Sequence, residues 1–573
     1  MPSIKNTSEK KDLKHLINAS INFLENKKFS LALSCIDKIK ESYVFPDIDY
    51  YYSITYLYYG NEFFTKKKYA QAISLYIKSK SFSKNLEPKF RNEIYIKLAS
   101  CYEHLNDFNK AKDVYKALIN KTNKPSIVLG LLLYAKLRCG DWKQIDRLIE
   151  KIYLKLKNGD TSITPFTSII TSDSPNFQYL AAKNFSAKYI NTSLKYKYEF
   201  KKAREHKRIR VAYLSSDFYN HATSHLIAGM FEYQNHKKFN YYAFSYGKND
   251  NSEIAKRVKE SFNNFFSLKN KSDQEISNLL INHEIDIAVD LKGHTKNNRL
   301  KILSKKPCPV QVSYLGFPGT LGTNFIDYLI MDKYLINKSN RKYFSENIIH
   351  LPYSYQCNER KILSNVSKRM FNLPDNKIIL CSLNNSQKYN FSILDAWKSI
   401  LHNNPNTILW LLNDNVCVKK NILHYFKQSN IKSDRIIFAD KLDTNNHISR
   451  MSLADIFLDS FPCNAHTTAS DALQADLPIV TMSGKTMSSR VSGSLLNTLG
   501  LNDLICNSYD DYTNKINYLI NNKDKIQKMK IKIKNEKHKK LFNSRIFVGH
   551  VEEAYEKIWE NYRNGNKIAD IFI

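Results

Sequence analysis

A short pattern, an aromatic residue followed three positions later by alanine, recurs along the first quarter of the chain. It appears at Phe29–Ala32, Tyr69–Ala72 and Phe108–Ala111, with a weaker copy at Trp142–Ile145, so that the aromatic positions are 40, 39 and 34 residues apart. Periods of this length are typical of helix pairs that cannot bury their apolar faces alone and therefore stack on their neighbours. The sequence thus predicts tetratricopeptide-like helical repeats over residues 1–155. An unrelated helical bundle whose aromatic residues are simply core is the alternative.

Stacked helix pairs form a concave groove that usually binds extended peptide. The repeats therefore predict an acceptor protein or peptide as a partner. A stretch of mixed character at 156–204 is expected to link the repeats to the rest of the chain.

From residue 205 onward, short β-branched apolar runs alternate with amphipathic stretches, which is typical of βαβ units and parallel sheets. The expected strands lie at 209–215, 239–246, 285–291, 310–315 and 327–331, then at 378–383, 407–412, 435–439, 455–459 and 478–482. The gap between the two series predicts two Rossmann-like α/β domains, 205–370 and 371–573, the second with a C-terminal helix. The predicted fold class is therefore α + α/β, with a ligand cleft where the carboxyl ends of both sheets meet.

The charge of the chain bears on its partners. Lys and Arg total 87 against 54 Asp and Glu, a formal charge of +33. The basic residues are spread along the chain and accompany abundant Asn, Ile and Tyr, which favours a compositional bias of the genome over specific nucleic-acid binding.

The nine cysteines lie singly, without a C-x-x-C pair, which predicts neither a disulfide framework nor a zinc site. With no signal-peptide pattern and no membrane-length apolar run, the chain is expected to be cytoplasmic with no transmembrane segment.

Acid, base and small residues gather after the expected strands of the first α/β domain. Asp217 and His221 follow the first strand ahead of an apolar helix, where they provide acid/base groups beside a helix N-terminus. An N-capping loop with exposed histidines is the alternative. The remaining candidates are His294 after a later strand and a glycine-rich turn that lets backbone approach an anion or a sugar: Gly316, Pro318, Gly319 and Thr320.

In the second α/β domain, Asn385 and Lys388 follow a strand, and Lys388 places a cation suited to a diphosphate at its carboxyl end. His447 and Arg450 are expected to lie ahead of an apolar helix. The densest cluster runs from Asp459 to Asp471. Its His466, Thr467 and Thr468 can cap a helix and cradle phosphate, while Asp471 can accept hydrogen bonds from ribose hydroxyls. A Ser/Thr-rich helix start without a ligand is the alternative.

Three stretches of this chain, taken in order, resemble the tetratricopeptide-containing O-linked N-acetylglucosamine transferases, the SPINDLY-like members of glycosyltransferase family 41. They are RVAYLSSDFYNHATSHL, PVQVSYLGFPGTLGTNFIDYLIMD and ADIFLDSFPCNAHTTASDALQADLPIVTMSGKTMSSRVSGSLL. The resemblance implies a GT-B fold, UDP-N-acetylglucosamine as donor, inversion at the anomeric carbon, and no required cofactor or metal. It also implies transfer of the sugar to Ser or Thr hydroxyls of an acceptor protein.

The resemblance further implies roles for individual residues. His221 matches the histidine proposed as general base, and Lys388 matches the lysine on the UDP phosphates. His447 and Arg450 match nucleotide contacts. The phosphate and ribose contacts are matched by His466, Thr467, Thr468 and Asp471, and the expected sugar and acceptor cleft comprises Asp217, His294, Gly316, Pro318, Gly319 and Thr320. Asn385 departs from the pattern, because the animal enzymes have a glutamine there.

Two other functions stay open at the level of sequence. A related bacterial branch transfers a hexose, for instance from UDP-glucose, to asparagine of a protein. A repeat scaffold with a catalytically silent α/β half is the alternative from another class, although the intact His221, Lys388 and H-T-T-x-x-D cluster argue against it.

Overall fold

The computed structural model describes residues 7–84, 86–121, 127–190 and 206–573. The chain divides into two compact units, Met1–Leu148 and Ile149–Ile573. Of the expected domains, parts of the repeats, residues 191–204 of the expected linker and residue 205 lie outside the described residues.

The first unit consists of helices that pair in sequence order. They are α1 (Thr7–Glu25), α2 (Phe29–Ser42), α3 (Ile48–Thr65), α4 (Tyr69–Ser81), α5 (Pro88–His104), α6 (Phe108–Ile119) and α7 (Val128–Cys139), followed by α8 (Ile145–Lys157), which spans the division between the units. The three motif aromatics begin α2, α4 and α6, and the alanines of their motifs are fully buried. Gly60 of α3 lies against Tyr76 of α4, where an added Cβ would be 2.7 Å from the ring. Helical repeats are therefore confirmed.

The second unit contains two parallel sheets with helices around them. Its helices are α9 (Pro165–Thr171), α10 (Pro175–Tyr189), α11 (Ala222–Glu232), α12 (Glu253–Glu260), α13 (Asp273–Asn282), α14 (Phe391–Asn403), α15 (Val416–Gln428), α16 (Thr444–Met451), α17 (Thr467–Gln474), α18 (Val491–Thr498), α19 (Tyr509–Asn521), α20 (Lys523–Glu536) and α21 (Ser544–Arg563). Its strands are β1 (Ile209–Ser215), β2 (Phe239–Ser245), β3 (Asn264–Ser267), β4 (Ile287–Asp290), β5 (Val310–Ser313), β6 (Tyr328–Asp332), β7 (Asn347–Leu351), β8 (Ile378–Ser382), β9 (Thr407–Leu412), β10 (Ile436–Ala439), β11 (Ile456–Leu458), β12 (Ile479–Met482), β13 (Ile505–Cys506) and β14 (Ile571–Phe572).

Each sheet has a point where the strand order reverses, and this point locates the site. The first sheet runs β14-β7-β6-β5-β4-β1-β2-β3, and the second runs β10-β9-β8-β11-β12-β13. The reversals fall between β1 and β4 and between β8 and β11. Ligands of open parallel sheets bind beyond the carboxyl ends of the strands at such reversals. The loops after these four strands are therefore where a ligand cleft is expected.

Every strand expected from the sequence is observed, with ends that differ by two residues or fewer, whereas β3, β7, β13 and β14 were not expected. The expected linker contains α9 and α10, so its described part is helical rather than mixed. The expected extent of the second α/β domain to residue 573 also differs from the structure. Tyr555 of α21 and Ile571 of β14 belong to the core of the first sheet, and β14 extends that sheet beside β7.

The glycine-rich turn after β5 makes a close backbone crossing. An added Cβ on Gly316 would lie 2.1 Å from the carbonyl oxygen of Leu291, in the loop after β4. Since backbone cannot yield as a side-chain tip does, we expect Gly316→Ala to lower the free energy of unfolding by about 2–3 kcal/mol. Gly549→Ala, inside α21 where an added Cβ meets nothing within 4 Å, is the matched control. It should raise stability by about 0.5–1 kcal/mol. Urea unfolding midpoints measure both changes, and equal midpoints for the two variants would contradict the crossing argument.

Candidate active site

A cavity of about 300 Å³ opens between the two α/β domains of the second unit. The first α/β domain lines it with Asn220, His221, His225, Glu359 and Lys361, and the second lines it with Thr444, His447, Thr467, Ser470 and Asp471. The structure thus brings together, around one cavity, four residues that the sequence predicted in different α/β domains: His221, His447, Thr467 and Asp471.

His221 is the N-cap residue of α11, and its side chain is about one third exposed. Its Nδ1 atom accepts a hydrogen bond from the backbone N–H of Thr223 at 3.2 Å. The Asp217 carboxylate lies 3.5 Å from the same nitrogen and pairs with Lys292 at 2.5 Å. Burial lowers the pKa of His221, and Lys292 and Lys248 add to this effect while Asp217 opposes it. The imidazole is therefore neutral at physiological pH.

A charged cluster that sequence reasoning missed forms the neighbouring wall. Lys361 pairs with Glu359, which also pairs with Arg257 of α12 at 2.9 Å. Burial acts to raise the pKa of Glu359, but the hydrogen bonds from Arg257 and Lys361 hold it below its ordinary value. Glu359 and Lys361 follow β7, so polar side chains after the end of a strand are the signal that could have indicated them. The sequence pattern did not predict β7, and no site was therefore expected after it.

His447 and Arg450 lie within α16 rather than ahead of a helix, which corrects the expectation from the sequence. Arg450 is 1% exposed and donates from one Nη to the carbonyl of Asp440 and from the other to His447 Nδ1 at 2.7 Å. Burial and the Arg450 charge lower the pKa of His447 to about 4. His447 therefore faces the cavity as a neutral ring, and Arg450 lies behind it.

The loop after β11 carries the predicted phosphate site. His466 is the N-cap residue of α17, and Thr467 and Thr468 form the first turn, where unpaired backbone N–H groups favour an anion. Lys388 Nζ donates to the carbonyl of Asn464 at 2.5 Å, which holds the ammonium beside this turn. Burial, and then the charge of Lys388, lower the pKa of His466 to about 3.

Asp471 lies one turn further along α17 on the cavity wall. Burial raises its pKa to about 7, and the positive charge of Lys361 opposes the rise only in part. Asn385 is exposed and is not part of the cavity lining, although its carbonyl accepts from the Lys388 N–H at 3.1 Å.

The glycine-rich turn and His294 do not line this cavity, although both were expected in the sugar and acceptor cleft. His294 Nε2 lies 2.8 Å from the carbonyl oxygen of Leu321, and its ring meets Phe317 edge to face. Thr320 donates to the buried Glu346 at 2.7 Å. Gly316, Pro318 and Gly319 lie in the same turn, whose backbone crosses the loop after β4. These contacts serve packing around α10, because Ser186 of that helix also donates to the carbonyl of Leu321.

Within residues 7–84, 86–121, 127–190 and 206–573, no three His, Cys, Asp or Glu side chains come together as metal ligands do. Over the same residues, no helix has both the length and the apolar character that crossing a membrane requires.

Comparisons with known proteins relate the chain to a family of glycosyltransferases. The model of glycosyl transferase family 41 matches residues 143–369 and 356–551. A probable UDP-N-acetylglucosamine–peptide N-acetylglucosaminyltransferase SEC of Arabidopsis thaliana is 34% identical over 371 residues, which is 63% of this chain and 38% of that protein. A probable enzyme of the same description, SPINDLY of Solanum lycopersicum, is 26% identical over 364 residues, which is 62% of this chain and 39% of that protein. The chain thus spans about two fifths of the length of these curated relatives.

Among solved structures, a Thermobaculum terrenum O-GlcNAc transferase superposes with a TM-score of 0.71 at 17% identity, covering 98% of this chain and 99% of that one. This likeness concerns the fold: helical repeats followed by two facing α/β domains, the arrangement of a GT-B glycosyltransferase. The chain belongs to glycosyl transferase family 41.

Proposed function

We propose that the protein transfers N-acetylglucosamine from UDP-N-acetylglucosamine to Ser or Thr hydroxyls of an acceptor protein, with inversion and without a metal. The observation that carries this proposal is the single cavity in which His221 of one α/β domain faces Thr467 and Asp471 of the other. The names of the relatives, which are described as acting with UDP-N-acetylglucosamine on peptides, support the donor and the acceptor class.

The chemistry of sugar transfer fits these residues. A leaving diphosphate needs its growing charge stabilised. Lys388 and the first turn of α17 provide fixed positive charge, which a metal ion provides in other enzymes. Asp471 is positioned to accept from ribose hydroxyls, and His447 to pack against the nucleobase. His221 on the opposite wall meets the acceptor hydroxyl, and its assignment as general base stays a prediction.

The acceptor and the cellular setting are also part of the proposal. Stacked repeats such as α1–α7 usually bind extended peptide, so we propose that they hold the acceptor protein. Cys381 and Cys463 are buried thiols outside disulfides, which supports a reducing, cytoplasmic location.

Donor binding and hydrolysis by the purified protein test the proposal. UDP-N-acetylglucosamine should bind in preference to UDP-glucose, and Lys388→Ala should lose the hydrolysis of the donor to a greater extent than its binding. A preference for UDP-glucose, with a hexose mass shift on the acceptor, would favour the hexose-transferring alternative. Binding of neither nucleotide sugar would overturn the proposal and favour the silent scaffold.

We expect donor affinity to depend on pH through Asp471. Its pKa of about 7 leaves the carboxyl largely protonated at pH 6 and ionised at pH 8, and the ionised form offers two charged acceptor oxygens to the ribose hydroxyls where the protonated form offers one neutral one. UDP-N-acetylglucosamine should therefore bind about tenfold more tightly at pH 8 than at pH 6. The neighbouring His447 stays neutral over this range because its pKa is about 4.

Isothermal titration of wild type and Asp471→Asn measures this dependence. The donor is a diphosphate diester without a proton to lose in this range, so the free ligand does not contribute. The variant should bind weakly with a flat profile. A flat profile for wild type would refute the assignment of the titrating group.

A further inference from the structure

The hydrogen bonding of His221 decides which of its nitrogens carries a proton. As the N-cap residue of α11, it accepts the Thr223 backbone N–H on Nδ1 at 3.2 Å, as N-cap side chains commonly do for the second residue of a helix. An acceptor nitrogen carries no hydrogen. In a neutral imidazole the proton must then reside on Nε2. Since His221 lines the cavity, this N–H is the polar group that the ring offers to a ligand.

A competing arrangement is present in the same place. The Asp217 carboxylate, 3.5 Å from Nδ1, would favour a proton on that nitrogen if its charge were unopposed. Lys292 opposes it, because its ammonium lies 2.5 Å from the same carboxylate oxygen and both side chains are about 95% buried. Ser216 Oγ donates to the other oxygen at 3.0 Å. The carboxylate is therefore satisfied without the histidine.

We infer that the buried Lys292–Asp217 pair holds His221 as the neutral Nε2–H tautomer, so that His221 donates a hydrogen bond into the cavity instead of accepting a proton there. Lys292 is then a positioning residue that acts through Asp217 and His221. This inference rests on the proposed function for its meaning in catalysis, but the protonation state itself is a property of the unliganded protein.

The other charged groups that shift the pKa of His221 act in the same direction as Lys292. Lys248, from the loop after β2, lowers the pKa of His221, as does Lys292. The other ionisable groups on its own loop and helix and across the cavity are Tyr219, His225, Glu359, Lys361, His447 and Asp471. Among the influences on the His221 pKa, only Asp217 favours the protonated ring, so changes at Asp217 and Lys292 isolate the effect.

Nitrogen-15 NMR of the full chain labelled at histidine tests the tautomer without any donor. The chain has 15 histidines, and the His221 signals are identified by their loss in His221→Gln. We expect a protonated Nε2 and an unprotonated Nδ1. In Lys292→Met the freed carboxylate should draw a proton to Nδ1 and raise the pKa of His221 by more than one unit. The double variant Asp217→Asn/Lys292→Met, which leaves no buried charge, should restore the wild-type signals and controls for misfolding. A protonated Nδ1 in wild type, or an unchanged pKa in a folded Lys292→Met, would overturn the inference.

Activity separates the two roles of the ring. His221→Gln places an amide N–H near the Nε2 position but cannot take a proton, so it should retain transfer within about tenfold of wild type. His221→Asn keeps a good helix cap but is too short to reach, and should fall about 10²–10³-fold, as His221→Ala does. Equal losses in all three would support a general base and refute the donor role. If wild type shows no transfer at all, the proposed function fails while the NMR result still stands.

Discussion

Lys388→Met should lower kcat/KM for sugar transfer about 10³-fold, the largest effect we expect from a single substitution. The ammonium is held beside the first turn of α17 by its bond to the Asn464 carbonyl at 2.5 Å. There it adds a full charge to the partial charge of the helix N-terminus, where the proposed function has the diphosphate leave. Preorganised charge of this kind is worth most when it meets charge that develops in the transition state. The loss should therefore fall mainly on kcat.

The matched control is Lys427→Met, which removes an exposed lysine from the last turn of α15 in the same domain. It should leave both kinetic constants within twofold of wild type. The Lys388 variant should melt near the wild-type temperature, because its side chain is only half-buried and is not part of a core. A decrease confined to donor affinity, with kcat intact, would show that Lys388 only binds the ground state.

The sequence predicted those helices and strands whose characteristic residue pattern lies within the element itself. The aromatic residues Phe29, Tyr69 and Phe108 predicted where helices begin, because each is the first residue of its helix and packs on a later helix. Their rings contact Tyr59 of α3, His104 of α5 and Arg138 of α7, respectively. The strands that were missed include β14, whose partner is distant in sequence. The strand Ile571–Phe572 is only two residues long and forms because β7, more than 200 residues earlier, offers it an edge. No periodicity in two residues can indicate such pairing.

The residues of the candidate site also divide into those that the sequence predicted and those that it missed or assigned to the wrong role. His221, Thr467 and Asp471 were predicted because polar groups after strands meet at the carboxyl edge of a sheet. The glycine-rich turn was interpreted as a ligand cradle, yet Gly316 is required by the backbone of Leu291. Glycine permits the close approach of a ligand and of another backbone segment alike, and the sequence alone does not distinguish between these two uses. Lys361 was missed because its strand, β7, was missed.

Arg450→Met should weaken UDP binding about 100-fold, although Arg450 does not line the cavity. The guanidinium donates to His447 Nδ1 at 2.7 Å and stands 5.8 Å from the centre of the Trp410 ring. Its bond to Nδ1 fixes the His447 ring and leaves the proton on Nε2, the nitrogen that would meet the nucleotide under the proposed function. Without it the ring can rotate or change tautomer. Burial lowers the pKa of Arg450 to about 10, so the surroundings of this guanidinium oppose its charge.

A double-mutant cycle identifies the route of this effect. If Arg450 acts through His447, the variant Arg450→Met/His447→Ala should bind UDP no more weakly than His447→Ala alone. Additive losses would mean that Arg450 touches the nucleotide directly, as the sequence resemblance implies. Titration of UDP into the four proteins at one pH gives the coupling free energy, and melting temperatures exclude global unfolding as its source. Strong coupling would show that His447, which lines the cavity, and Arg450, which is buried behind it, bind the nucleotide as a pair.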